Sequence, residues 1–195
     1  MSTQRKSKEY RYLERRIIQI KKNFKFHQSI NGITSLQADR LRGLRLLCHA
    51  EFEDYFESVA LRLLNAAEKK WLDKKIANYN LSSVFIWHDR IDKNDTNETK
   101  ARMIITDFRK EIKSNHGIKE DNIKKLFGPL GYKIDDFDAM FISTLSSFGT
   151  LRGETAHTSA NKTQQPLDQN TEITRIDDLL KGISDFERVL NSRQT

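Results

Sequence analysis

From Gln37 to about Trp71 the apolar residues Leu41, Leu44, Cys48, Phe52, Tyr55, Val59, Leu63 and Ala66 recur every three or four positions with no proline among them. A periodic run of that length predicts one long central helix, although Gly43 weakens its early part. A helix this long and this apolar has to be covered by other elements, and the rest of the chain is suited to supply helices. Only two prolines and eight glycines punctuate 195 residues, while Lys, Glu, Leu, Ile and Ala abound. The expected fold class is all-α, with a helical bundle as the default. The length suits one domain over residues 1–195, with a basic amphipathic helix in 1–30 and the bundle in 36–195.

The other elements follow from spacing and breakers. Tyr10, Leu13, Ile17, Ile20 and Phe24 predict a first helix from about Arg5 to Lys25, ending before the turn signal Asn31-Gly32. The run Leu81-Ser82-Ser83-Val84-Phe85-Ile86-Trp87 fits a strand or a buried turn of helix, and periodicity does not choose between them. Asp89 to Glu98 reads as a loop. Ala101, Ile104, Ile105, Phe108 and Ile112 then mark a helix that stops near Asn115-His116-Gly117, and a short helix follows from Lys119 to Phe127. Gly128-Pro129-Leu130-Gly131 breaks the chain, and Asp135-Asp136 place negative charge at the start of the next helix. The polar stretch Ser159 to Asn170, with Pro166, is expected to be an exposed loop bordering the end of that helix. A last helix runs on Ile173, Ile176, Leu180, Ile183 and Leu190.

The net charge of +7 is concentrated at one end. Residues 1–25 hold Arg5, Lys6, Lys8, Arg11, Arg15, Arg16, Lys21, Lys22 and Lys25 against Glu9 and Glu14, so the rest of the chain is neutral by count. Helical spacing sets Lys8, Arg11, Arg15, Lys22 and Lys25 opposite the apolar stripe. Such a face attracts RNA or DNA phosphates without reading sequence, and it equally suits an anionic membrane surface, an acidic partner or plain solvation. No stretch approaches the length of a membrane span and the amino terminus carries no leader pattern, which predicts a soluble, cytoplasmic protein. The single cysteine, Cys48, lies on the apolar stripe and reads as a packing residue. Without a glycine-rich phosphate loop, paired cysteines or a Gly-x-Ser-x-Gly turn, kinase, dinucleotide-binding and serine-hydrolase chemistry have no basis here.

The chemistry-bearing stretch is Leu151-Arg152-Gly153-Glu154-Thr155-Ala156-His157. Phe137, Phe141, Leu145 and Phe148 step by four, four and three, and the next step of four lands on Arg152. A guanidinium there is either paired in the core, exposed at an interface or cleft, or capping the helix carbonyls beside a surface histidine. Arginine offers phosphate a planar fork of donors, and histidine exchanges protons near neutrality. On the central helix, His49-Ala50-Glu51-Phe52-Glu53-Asp54-Tyr55-Phe56-Glu57 is acidic, and Glu53 stands one turn from both His49 and Glu57, so polar groups are expected to face Arg152. Carboxylates beside a histidine suggest metal ligation, but no second histidine completes a ligand set, and solvation or pairing with arginines is the favoured reading. His27, His49, His88 and His116 read as ordinary structural or surface histidines.

These residues resemble the HEPN superfamily, and the motif ending in Arg152 and His157, with the earlier acidic segment, is similar to its RiboL-PSP-HEPN branch. The likeness runs from about Leu36 onward and leaves out the basic first helix. It implies an all-α bundle of four to five main helices plus short helices, a two-fold dimer, and metal-independent endoribonuclease activity with no cofactor, often in antiviral defence or toxin–antitoxin systems where a partner protein or antitoxin restrains the enzyme. On this resemblance Arg152 and His157 are the catalytic pair, with Glu51, Glu53, Asp54 and Glu154 expected as auxiliary polar residues, while the charge pattern of the first helix, outside the resemblance, makes Lys8, Arg11, Arg15, Lys22 and Lys25 the expected RNA contacts. Many members carry Asn or Asp directly after the arginine, where this chain has Gly153. Members that accept nucleotidyl transfer carry a tyrosine two places after the histidine, where this chain has Ser159. The alternative is a non-catalytic nucleic-acid-binding or dimerisation module that uses the basic helix.

Five steps on a straight helix set Arg152 and His157 roughly 140° apart and about 7.5 Å along the axis. One pair therefore does not converge unaided. A two-fold axis would gather two of each, and Gly149 and Gly153 offer a second route by letting the helix break.

Overall fold

The computed structural model describes residues 6–27, 33–88, 96–157 and 168–192, excepting the side chains of residues 154–157. Seven α-helices and one short 3-10 turn make up these residues, with no strand among them: α1 (Lys8–Phe24), α2 (Ser35–Lys74), α3 (Tyr79–Trp87), α4 (Asn97–Lys113), α5 (Glu120–Phe127), the turn Ile134–Asp136, α6 (Ala139–His157) and α7 (Gln169–Ser192).

The 40-residue α2 is about 60 Å long at 1.5 Å per residue and packs against each of the other six helices. Leu41, Leu44, Cys48, Phe52, Tyr55, Val59 and Leu63 are buried as their spacing predicts. At the next position the buried residue is Ala67, while Ala66 is exposed, because a 3.6-residue period drifts across a strict three-four count. Thr34 and Gln37 form a capping box that starts the helix. Gly43 lets the Phe24 ring of α1 lie against the backbone, since a Cβ there would sit 2.6 Å from Phe24 Cε1.

The undecided run 81–87 is helix, and Asn78 explains why. Its side chain accepts the Leu81 N–H at 3.0 Å and supplies the N-cap. Asn97 and Glu98, expected in a loop, open α4 behind the cap Thr96, and residues 89–95 lie outside the described residues. The acid that starts α6 is Asp138, which accepts the Phe141 N–H at 2.7 Å, whereas Asp135 and Asp136 belong to the preceding 3-10 turn. Phe137 is likewise outside the helix, although its ring stays in the core against Phe186 at 4.5 Å. Of the expected loop Ser159 to Asn170, residues 159–167 are not described, and Gln169 and Asn170 are already in α7. Arg5 and the turn Asn31-Gly32 are also outside the described residues.

On α7 the buried face is centred on Ile176, Leu179, Ile183, Phe186 and Leu190, leaving Ile173 and Leu180 half-buried. That face carries two carboxylates. Glu172 is fully buried and receives Arg45 in a two-pronged pair, Nε–Oε2 3.1 Å and Nη2–Oε1 2.9 Å. Glu187 accepts from the Tyr55 hydroxyl at 3.1 Å and from the Ser7 backbone N–H and hydroxyl, which fastens the start of α1 to α2 and α7.

Candidate phosphate-binding site on α6

Arg152 lies near the carboxyl end of α6, on a helix that runs unbroken from Ala139 through Gly149 and Gly153 to His157. The glycines do not break it. Gly149 is buried where α6 crosses the 118–119 segment, with room for a Cβ only 3.0 Å from Lys119 Cγ, while a Cβ at Gly153 would meet nothing within 4 Å. A continuous helix keeps the wide angular separation of Arg152 and His157, so a single copy has no local bend to bring them together. The side chains of Glu154 and His157 are outside the described residues.

Arg152 is half-buried, and among the described residues its guanidinium has neither an ion pair nor a hydrogen bond. Its surroundings are nonetheless polar. Glu53 of α2 is near enough for the Arg152 charge to steady its carboxylate. The Glu53 carboxyl is held below the ordinary range first by the adjacent His49, and then by the Gly117 backbone N–H and the Arg152 charge, all acting against burial. His49 Nδ1 lies 3.5 Å from Glu53 Oε2, and the buried imidazole stacks on Phe148, one turn before Arg152, with ring centres 6.3 Å apart. Counting His49 as an ordinary histidine missed this placement; the signal was its i,i+4 spacing from Glu53.

A bend after α4 completes the wall. Gly117 has φ +138°, a conformation side chains resist, and a Cβ there would stand 2.9 Å from Asn122 Oδ1. The buried Asn115 donates to Glu57 Oε1 at 3.1 Å and to the Gly117 carbonyl at 3.0 Å, and accepts from Asn122 at 3.0 Å. Burial pushes the Glu57 carboxyl upward, partly offset by the Asn115 bond.

The acidic segment of α2 therefore divides between two faces. Glu53 sits with His49 on the side of α2 that meets α6, but Glu51 turns to α1, where Arg16 holds it with Nη2–Oε1 2.9 Å. Asp54 faces solvent beside Glu51 and lines a groove of about 530 Å³ between α1 and α2, together with Tyr12, Arg15 and Ser58. A second cavity, of about 600 Å³ between α6 and α7, is lined by Asp138, Thr144, Arg175 and Asp178 at the opposite end of α6 from Arg152. No group of three or more His, Cys, Asp and Glu suited to a metal ion occurs among the described residues.

Helix α1 keeps Tyr10, Leu13, Ile17 and Ile20 inward and leaves Lys8, Arg11, Arg15, Lys22 and Lys25 exposed, none of them in an ion pair among the described residues. Other cations of this segment are used structurally: Arg16 on Glu51, and Lys21 on Asp177 at 2.5 Å. Tyr12, 48% exposed, and Ile18, 59% exposed, share the cationic face. Cys48 is buried, and burial pushes its thiol up to about 12, so it is inert. No helix among the described residues is long and apolar enough to cross a membrane.

An all-helical bundle in which α6 carries an arginine with no ion pair among the described residues, followed five positions later by a histidine, has the architecture of a HEPN domain. The RiboL-PSP-HEPN family matches residues 11–192, and the chain belongs to that family. The match begins inside α1, so it takes in most of the basic helix as well as the bundle. HEPN domains are generally ribonuclease-like, with RNA-related roles. No curated protein and no solved structure matches the chain.

Proposed function

We propose that this protein is a metal-independent endoribonuclease that cuts RNA where two copies meet. The observation that carries this reading is Arg152: a half-buried guanidinium with no ion pair among the described residues, on one continuous helix with His157. A cation in that setting is ready to bind an anionic ligand, and phosphate matches its forked donors. Because α6 is unbroken, convergence of arginine and histidine calls for a second copy, and a two-fold axis would bring two of each to one cleft. Family membership and the exposed cations of α1 support RNA as the ligand.

In the proposed reaction His157 takes the proton of a ribose 2′-OH. The 2′-oxygen then forms a bond to phosphorus while the bond from phosphorus to the 5′-oxygen breaks, and Arg152 steadies the charge on the non-bridging oxygens. A proton from the second His157 or from water reaches the departing 5′-oxygen, leaving a 2′,3′-cyclic phosphate and a 5′-hydroxyl. General-base catalysis and charge stabilisation are each worth about 10² to 10³ or more in rate. Lys8, Arg11, Arg15, Lys22 and Lys25 supply affinity without sequence, and Tyr12 offers a stacking surface for an unpaired base. A role in antiviral defence or beside a restraining antitoxin fits a small nuclease of this family.

Digestion of single-stranded RNA in chelator, with Arg152→Ala and His157→Ala beside the wild type, tests the proposal. Cleavage by the wild type alone, leaving cyclic phosphate ends, is the expected result. Tight RNA binding through α1 with no cleavage by any of the three would instead establish a non-catalytic binding module, and a monomer that cleaves would remove the shared cleft.

A further inference from the structure

The groove between α1 and α2 has an apolar floor, made by the buried Leu13 and Tyr55 and the half-buried Leu61. Three polar groups along it are already used. Glu51 is held by Arg16, Arg62 Nε lies 3.3 Å from Glu9 Oε2, and Asn65 accepts from Arg109 at 3.0 Å. Lys8, Tyr12, Arg15 and Asp54 line the same groove, and their side chains have neither a hydrogen bond nor an ion pair among the described residues. The pairs Glu9–Arg62 and Arg16–Glu51 set the two helices antiparallel. On that register Tyr12 stands within about one helical turn of Asp54 along the groove.

Phosphate attraction accounts for Lys8 and Arg15 but not for Asp54, because a bare carboxylate beside them repels phosphate. A carboxylate only accepts hydrogen bonds, so a ligand that uses it must bring N–H donors, and the 48% exposed Tyr12 ring offers that ligand a flat surface. An RNA nucleotide supplies all three features: a phosphate, a flat base and donors on the base edge. Guanine alone among the four RNA bases presents two adjacent donors, N1–H and N2–H, which match both oxygens of a carboxylate. A groove of about 530 Å³ has room for one nucleotide.

We propose that the α1/α2 groove is a guanine subsite for single-stranded RNA, in which the base stacks on Tyr12, Asp54 accepts from N1–H and N2–H, and Lys8 and Arg15 hold the flanking phosphates. The inference rests on RNA binding through α1 and not on cleavage. Because α1 lies across α2 from Arg152, the subsite selects which RNA is held and leaves the cutting step to α6.

The test uses the full chain and labelled 2′-O-methyl oligouridine carrying one guanine, beside the same strand with adenine in that place; neither strand has an attacking hydroxyl. Fluorescence anisotropy at pH 7 and fixed salt should show the wild type binding the guanine strand about fivefold to tenfold more tightly, the lower end for a two-pronged contact to a base edge. Asp54→Asn should bring that ratio close to one. Loss of a negative charge alone would raise affinity for both strands alike, so the ratio reports the contact with the base. Tyr12→Leu should weaken both strands about fivefold or more through lost stacking. Guanosine 5′-monophosphate should compete only weakly, since it lacks the flanking phosphates. Displacement by it near the Kd of the guanine strand would make a free nucleotide the ligand and overturn the assignment to RNA. A wild-type ratio of one overturns the proposal, and so does a preference that survives Asp54→Asn or an affinity untouched by Tyr12→Leu. Both side chains are exposed, so the fold survives either change. Cleavage of unmodified RNA, measured in parallel, separates the two readings. A protein that prefers guanine without cutting loses the nuclease assignment and keeps this one, and a protein that cuts without the preference does the reverse.

Discussion

Arg45 and Arg152 both stand on apolar stripes of helices that pack together in the bundle, and they have opposite surroundings. Arg45 on α2 is 7% exposed and meets the fully buried Glu172 of α7 through two parallel bonds, with Arg175 adding a third contact at 3.3 Å. Arg152 on α6 is half-buried, and the nearby Glu53 is shared with His49 and the Gly117 N–H. A guanidinium that is fully paired and sealed can only hold helices in register. One that is partly desolvated, with its carboxylate engaged elsewhere, keeps binding capacity for a ligand. The difference lies in the partners, since the residue type is the same.

That contrast is broken most forcefully at Glu172. Glu172→Ala leaves Arg45 as an uncompensated buried charge, and urea unfolding should show a loss of about 3 to 5 kcal/mol. Arg152→Ala should do the opposite in both respects. With no ion pair to lose among the described residues, its stability should stay within about 0.5 kcal/mol of the wild type, while cleavage of RNA falls about 10²- to 10³-fold. A large stability loss at Arg152 with little effect on cleavage would place it with Arg45 as a structural residue.

The same contrast marks how far the sequence could be read. Buried faces of α2, α4 and α6 follow from local periodicity, because Phe141, Leu145 and Phe148 report their burial through spacing alone. The unpaired state of Arg152 was one of three readings its stripe position left open. What spacing could not reveal was which carboxylate meets which arginine. Glu172 and Arg45 are 127 residues apart, and Glu172 sits beside Ile173 and Ile176 on a helix whose apolar residues alone suggested a slightly rotated face. Nor could it divide Glu51 from Glu53, two positions apart on α2 yet turned to different helices. That division depends on where α1 and α6 dock, although a rotation of about 200° between the two positions was implicit in helical geometry. The N-caps Asn78 and Asp138 are legible in the sequence as cap residues standing just ahead of apolar runs.

Helix α1 sharpens the comparison from a third side, since its cations are numerous and individually replaceable. Lys8→Ala, Arg15→Ala and Lys22→Ala combined should weaken RNA binding at every sequence tested and lower the salt dependence of the affinity by about 2 to 3 in log–log slope, one step per phosphate contact. Each single change should cost only a few-fold. Rate of cleavage at saturating RNA should be unaltered, because α1 lies across α2 from Arg152. A triple variant that binds normally at low salt would show that this face serves another partner.

The smallest expected effect separates two neighbours on α2. The Asp54 carboxyl is pushed upward, first by burial and then by the charge of Glu51, so the native state holds its proton more firmly than the unfolded chain does. Above the raised value the ionised carboxylate costs stability. As pH falls through that value the cost shrinks, and below the unfolded value of about 3.9 it is gone. Asp54→Asn should therefore stabilise the protein at pH 7 and leave it unchanged near pH 3, by no more than about 0.5 kcal/mol given its exposure to solvent. Glu53 has the reverse sign. Its carboxyl is held down, so its contribution is present above the unfolded value of about 4.3 and disappears as pH falls through the lowered native value. Glu53→Gln should cost up to about 1 kcal/mol at pH 7 and nothing at acid pH. Two adjacent carboxylates with opposite pH slopes in thermal melts are what α2 should show if it holds one carboxylate with partners in the fold and leaves the other bare. Slopes of the same sign would mean that Glu53 is no better supported than Asp54, and that Arg152 faces solvent without a prepared partner.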